Sequence, residues 1–319
     1  MKRRKKISKK RKILDKKFLI FTAGIIVIVL GFISYKVFFQ NNPEIRFSLK
    51  AAIIDQLGFG DTQNPEFNST VANLLVDAGF NDMSYHKSEN ITVNFYKGLA
   101  KYNYGIMILR VHSALRIKNE TKEILGVDFF TSENYTDARA NELWKERALG
   151  HVSKGEYFRD PGKFYFAITS NFIGNLTGYF PKSIVFAMGC WSLKPGYEQM
   201  ADAFIKKGAT AYIGWTDMVN SWDTDNETAY LLNMLLNEDK QLGYAISQTR
   251  NYTCFFEGQT VPTRLDFYPK SASNLTISEL IKETKVSTTF QSRVDNLKSF
   301  LPLFCLTNVV NRKSENFPR

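Results

Sequence analysis

From Lys50 to His112 the chain alternates short apolar runs with stretches of helical spacing, and few architectures accept that alternation. "KAAIIDQLG" reads as a strand ending near Asp55, with Gly58 and Gly60 in the turn behind it. Phe67, Val71, Leu74, Leu75 and Ala78 then recur at helical spacing, and Gly79 stands where a helix-ending glycine belongs. "FNDMSYH" reads as a second strand, Thr92–Lys101 as a second helix and "YGIMILRVH" as a third strand. An almost unbroken apolar run of this kind suits a parallel strand covered on both faces. The predicted fold class is α/β, with a doubly wound, mostly parallel sheet.

The regularity lapses between 113 and 180, which reads as an inserted segment. It holds a hairpin turning around Asn119–Lys122, a helix over "TDARANELWKERAL" capped by Thr136, and a short strand in "KFYFAIT". Alternation then resumes. Ser183–Met188 reads as a strand, Tyr197–Lys207 as a helix closed by Gly208, and "ATAYIGW" as a strand. Thr224 and Glu227 match a capping box ahead of "TAYLLNMLL", and a further helix covers Leu242–Thr249. After Cys254 the pattern weakens, with one more helix at Ser278–Thr284. An α/β domain is thus expected at 49–253 and a C-terminal extension at 254–319.

The formal charge of +11 is gathered at one end. Residues 1–17 carry eleven Lys or Arg against one Asp, so the other 302 residues are close to neutral. That balance argues against a nucleic-acid-binding face on the folded part. Phe18–Tyr35 follows, 18 residues without a charged side chain. With Lys36 snorkelling to the interface, 18–39 is long enough to cross a bilayer as one helix. The basic tail predicts a cytoplasmic N-terminus, an uncleaved single-pass anchor in the cell membrane, a linker at 40–48 and a domain outside; a cleaved signal peptide is the rival, against which the apolar run is long and no clear small-x-small site follows it.

Asn-x-Ser/Thr sequons occur at Asn68, Asn90, Asn119, Asn134, Asn175, Asn226, Asn251 and Asn274, all beyond the apolar span. About three are expected by chance, and the excess suits an exported, glycosylated domain. Three cysteines outside a cell leave an odd one. Cys254 and Cys305 could pair, which would leave Cys190 as the free thiol.

Parallel α/β sheets hold ligands at the carboxyl ends of their strands. Here those ends carry Asp55, His86, His112-Ser113, Gly189-Cys190 and Trp215-Thr216-Asp217. A histidine and a cysteine on one such edge can act together. The imidazole takes the thiol proton and later protonates a leaving amine. The N–H groups of Ser113 and Cys190 could serve the same carbonyl as an oxyanion hole. Other chemistries lack their signatures. The three histidines do not have zinc spacing, and no metal site is predicted. The sequence also has no phosphate-binding glycine loop, no complete G-x-G-x-x-G and no G-x-S-x-G elbow.

This order of parts resembles the caspase/gingipain-like cysteine peptidases of clan CD. Those enzymes carry a His-Gly and an Ala-Cys at the ends of neighbouring strands. The matching pairs here are His112-Ser113 and Gly189-Cys190, and "MADAFIKKGATAYIGWT" after the cysteine is similar to the gingipain-like branch. The resemblance spans roughly residues 50–250. It implies a cysteine endopeptidase acting on a peptide or protein, with Cys190 as nucleophile, His112 as general acid/base and no cofactor. It also implies that strands one and three are neighbours, so that Asp55 could orient His112; a plain turn-forming Asp is the alternative. Asp217 would lie in the primary specificity pocket, walled by Trp191 and Trp215, or else Asp217 is a solvent-facing loop carboxylate and the tryptophans simply pack. Ser113 stands where the family carries glycine and adds a Cβ beside the oxyanion position. An inactive relative that binds a peptide, glycan or protein at the cell surface is the second expectation.

Overall fold

The computed structural model describes residues 46–285 apart from 119, 158–160 and 257, together with Gly24 and Gly31, both helical. The basic tail, nearly all of the apolar span, Asn119 and Cys305 lie outside the described residues. Among the described residues no helix is long and apolar enough to cross a membrane.

The domain is built on a six-stranded sheet. Its strands are β1 (Lys50–Asp55), β2 (Asp82–Lys87), β3 (Ile106–Arg110), β8 (Ile184–Ala187), β9 (Ala211–Trp215) and β12 (Leu265–Tyr268), in the order β12-β9-β8-β3-β1-β2. Five strands are parallel, and β12 runs antiparallel to β9. The segment between β3 and β8 forms a second, four-stranded antiparallel sheet: β4 (Ser113–Ile117), β5 (Ile124–Asn134), β7 (Phe164–Ile168) and β6 (Val152–Glu156). A hairpin, β10 (Tyr252–Phe256) with β11 (Gln259–Thr263), precedes β12.

Helices cover both faces of the large sheet, as a doubly wound α/β fold requires. On one face lie α1 (Pro65–Asp77) and, after the cysteine, the long helix over Ser221–Leu236, with a shorter one at Leu242–Ser247. Ala51, Ile53, Ile106, Ile108, Ile184, Phe186, Ile213 and Trp215 point into this layer. Alternate residues, Ala52, Ile54, Met107, Leu109, Val185 and Ala187, point the other way. They meet the helices at Val93–Gly98 and Gln199–Lys206 and the inner side of the four-stranded sheet. The period-2 pleat thus feeds two cores from one set of strands. Local signals set the ends: Asn64 accepts the Phe67 N–H at 3.0 Å ahead of Pro65, and Thr136 accepts the Arg139 N–H at 3.2 Å.

Three details differ from the sequence reading. The Thr224–Glu227 capping box is not a helix start, because that helix begins at Ser221 behind Asn220. Thr224 lies inside it and is buried, accepting the Trp215 indole N–H at 2.7 Å and donating to the Met188 carbonyl at 3.1 Å. The domain does not stop at 253, since β12 completes its large sheet. Finally, the inserted segment contains β6, which the polar run "VSKGE" did not suggest.

Candidate active site

β3 and β8 are hydrogen-bonded neighbours, and every pair along them is 78 positions apart, from Ile106↔Ile184 to Leu109↔Ala187. His112 and Cys190 share that spacing and lie three residues past the last pair. Both therefore sit at the carboxyl edge of one adjoining strand pair.

Beyond the ladder the two strand ends interlock. The Met188 N–H still reaches the Leu109 carbonyl at 3.0 Å. Ser113 Oγ then donates to the Cys190 carbonyl oxygen at 2.5 Å. A Cβ at Gly189 would stand 2.2 Å from Ser113 Oγ, 2.5 Å from the Val111 carbonyl oxygen and 2.9 Å from the Ser113 nitrogen. Only glycine permits this approach. The Ser113 nitrogen faces the same place for a reason of register. The Phe130 N–H donates to the His112 carbonyl, so Ser113 and Phe129 form a non-hydrogen-bonded pair, and the Ser113 N–H points away from β5.

The chain turns sharply after Cys190. Trp191 has φ +56°, in the left-handed region that costs a bulky residue about 1–2 kcal/mol. Neighbours hold it there: the Trp191 N–H donates to the Asp217 carbonyl at 3.0 Å, and the Leu193 N–H to the Trp215 carbonyl at 2.9 Å. Ser192 Oγ donates to the Ala187 carbonyl and accepts the Trp215 N–H. Such over-determined backbone strain is the kind found at functional sites.

Cys190 is partly buried as a residue, and its sulfur rests on the backbone of Val219, 3.4 Å from the carbonyl oxygen and 3.5 Å from the nitrogen. Burial around the sulfur pushes the thiol up to about 11, against the lowering effect of the Val219 contact. At neutral pH the group is a thiol, so any attack by it needs a base to take the proton. His112 is half-buried, with its ring 4.6 Å from that of Tyr157 and 6.4 Å from that of Phe130.

The remaining sequence-derived residues divide. Asp55 does not meet His112, which corrects its orienting role. It is fully buried on the other face of the sheet, its Oδ1 2.8 Å from Arg110 and its Oδ2 accepting from Tyr85 and Asn68. Arg110 in turn makes a two-pronged pair with Asp225, both contacts at 2.7 Å. Burial works against the guanidinium charge, yet the two carboxylates outweigh it and hold its pKa above the ordinary value. Trp215 is likewise no pocket wall, because it is fully buried under the Ser221–Leu236 helix. Asp217 is half-buried, with Oδ2 3.1 Å from the Lys194 ammonium and Oδ1 accepting the Met218 N–H. Trp191 remains half-buried beside the cysteine. Cys254 is buried in β10. Of the sequons, Asn90, Asn134, Asn175, Asn226, Asn251 and Asn274 are exposed. Asn68 is not, since its amide donates to Asp55 and Tyr85. A cavity of about 630 Å³ between α1 and β2 is lined by Asp55, Asn68 and Tyr85, and neither His112 nor Cys190 reaches it.

Sequence reasoning passed over Asp128, on β5. Ala114 pairs with Asp128, so this carboxylate is diagonal to His112 on one face of the small sheet. Burial pushes its carboxyl up to about 6, although Arg116 at 3.2 Å and Ser153 at 2.7 Å both lower it. The native state therefore binds this proton more tightly than the unfolded chain. The contribution of Asp128 to stability is expected to fall as pH rises from about 4 to about 6. Asp128→Asn is expected to flatten that slope and to raise stability at pH 7 by about 2 kcal/mol. Urea unfolding of the full chain at pH 4.5 and 7 checks it, and an unchanged slope would count against the buried-carboxyl assignment.

Compared with known families and with curated proteins, the chain matches no family model and no curated sequence.

Proposed function

We propose that this chain is a membrane-anchored, extracytoplasmic cysteine endopeptidase of the caspase/gingipain-like type, with Cys190 as nucleophile and His112 as general acid/base. One observation carries the reading: the two residues end adjacent parallel strands at the spacing of the ladder itself. The Ser113 departure from the family pattern finds a counterpart in the same place. Where the family has His-Gly with Ala-Cys, this chain has His-Ser with Gly-Cys, and the Ser113 hydroxyl fills the space that a Cβ at 189 would take. The side-chain volume has changed strands.

The chemistry proceeds from a neutral thiol. His112 accepts the Cys190 proton as sulfur attacks the scissile carbonyl, then returns it to the leaving amine. The Ser113 and Cys190 N–H groups would receive the oxyanion. The basic tail, the apolar span and the exposed sequons support an outward-facing domain.

A second reading has its own support. The sulfur's contact with Val219 and its raised pKa suit a relative that has lost catalysis and binds a peptide, glycan or protein. Cells displaying the full chain separate the two when given a membrane-impermeant peptidyl chloromethyl ketone and a pool of peptides. The peptidase account expects surface labelling that Cys190→Ala abolishes, and cleavage reduced about 10²–10⁴-fold by His112→Ala. Binding without cleavage would favour the inactive relative, and labelling only after lysis would reverse the topology.

A further inference from the structure

β1 ends at Asp55, Gln56 opens the turn behind it, and the two side chains go to opposite faces of the sheet. Asp55 goes to Arg110. Gln56 goes toward the small sheet and is fully buried there. Its Oε1 accepts the His112 backbone N–H at 2.9 Å, and its Nε2 donates to the Tyr157 hydroxyl in a short contact. The Tyr157 ring stands against the His112 imidazole, with centroids 4.6 Å apart and planes inclined by 50°, and is itself stacked on Tyr165 at 4.4 Å and tilted against Phe130 at 4.8 Å. Gln56 is also fixed from behind: its N–H donates to the Arg110 carbonyl at 2.9 Å, and its carbonyl accepts from Ser88 Oγ at 3.0 Å. A buried primary amide needs all these partners to offset its desolvation. Here both ends of the amide are spent on the surroundings of one histidine, its main chain and the ring against its side chain.

We propose that Gln56, acting through Tyr157, is a positioning residue that fixes the His112 imidazole at the mouth of the site. It deepens the His112–Cys190 reading and rests on it for its consequence in catalysis. The clamp itself does not. Gln56 reaches His112 from β1, the strand on the side of β3 away from β8, so it holds the imidazole without approaching Cys190. A displacement of about 1 Å in a reacting group can cost about a hundredfold in rate, which sets the scale of the expected effect.

The test uses the full chain labelled with 13Cε1-histidine. Three histidines give three resonances, and His112→Gln identifies one of them. In the wild-type chain the His112 signal is expected to be single, and displaced by the ring current of Tyr157. Tyr157→Leu sets the position without that ring. Gln56→Leu is expected to move the signal to that position or broaden it, while the other two histidines stay in place. Tyr157→Phe keeps the ring and removes only the hydroxyl, and a loss of sharpness there covers the case in which Gln56→Leu does not fold. A His112 signal unchanged in both variants overturns the inference. Kinetics supply the functional arm: kcat lower by about 10–100-fold with KM within about twofold, per active site titrated, is expected of a positioning residue. A rate per active site equal to wild type also overturns it. A moved resonance in a chain with no Cys190-dependent cleavage would keep the clamp and remove the peptidase reading.

Discussion

Gly189→Ala is expected to cost about 3 kcal/mol or more, an unusually large penalty for one methyl group. The added carbon would lie 2.5 Å from the Val111 carbonyl oxygen and 2.2 Å from Ser113 Oγ, and the first of these is backbone. The strand ends must part, taking the Ser113–Cys190 hydrogen bond with them. Ser113→Gly alone removes that bond and is expected to cost about 1 kcal/mol. The double variant puts the small residue on β4 and the methyl group before the cysteine, as in the peptidases that the proposed function invokes. It is expected to be less destabilised than the sum of the singles by about 1 kcal/mol or more, because the closest clash is gone while the Val111 contact remains. Denaturant unfolding of the four chains measures the coupling. Strict additivity would mean that the two positions do not share one space.

Asp225→Ala is the second large effect, expected at about 3–5 kcal/mol. Arg110, Asp55 and Asp225 are all fully buried; the guanidinium gives Nε and Nη2 to Asp225, a second Nη2 hydrogen to the Thr62 carbonyl, and Nη1 to Asp55. Asn64 also donates to Asp225. Truncation would leave a buried cation with half of its partners. The damage would spread, because Thr224 on the same helical turn ties that helix to Trp215 and Met188 at the base of the cysteine loop. Asp225→Asn keeps the shape and one acceptor, and Asp55 still balances the charge, so it is expected to cost less than Asp225→Ala. Urea titration compares them. Two variants of equal stability, or an alanine within about 1 kcal/mol of wild type, would assign the strut no role.

The centre of the large sheet is legible because β1, β3, β8 and β9 are short apolar runs, and the first helix carries its Asn64 cap and closing Gly79 in sequence. Legibility failed where a decision depends on contacts between distant segments. The end of β1 offers the Asp55 side chain two roles, orienting His112 or forming a turn, and it takes neither: it is held by Arg110, while Gln56, the next residue along, faces His112; parity along the chain is the signal that separates them. Thr224 carried a capping-box spacing, yet its hydroxyl is consumed by Trp215 and Met188, and the helix starts a turn earlier. β12 has four residues, too few for a period to register, and only its place beside β9 makes it a strand. The Gly189–Ser113 interlock joins residues 76 positions apart, and no local pattern announces it. The resemblance flags only Ser113, as a serine where the caspase/gingipain-like pattern has glycine, and passes Gly189-Cys190 as a match.

The most direct test of the dyad is the rate at which Cys190 of the purified full chain is acylated by a peptide ester, followed by intact mass against pH. With a thiol near 11, unaided attack at pH 7 would be slow and would climb with each added unit of pH. If His112 takes the proton, the wild-type chain acylates at neutral pH with a flat response there, and His112→Ala loses that rate and regains it only in alkali. Identical pH curves for the two chains would show that the imidazole and the sulfur do not work together.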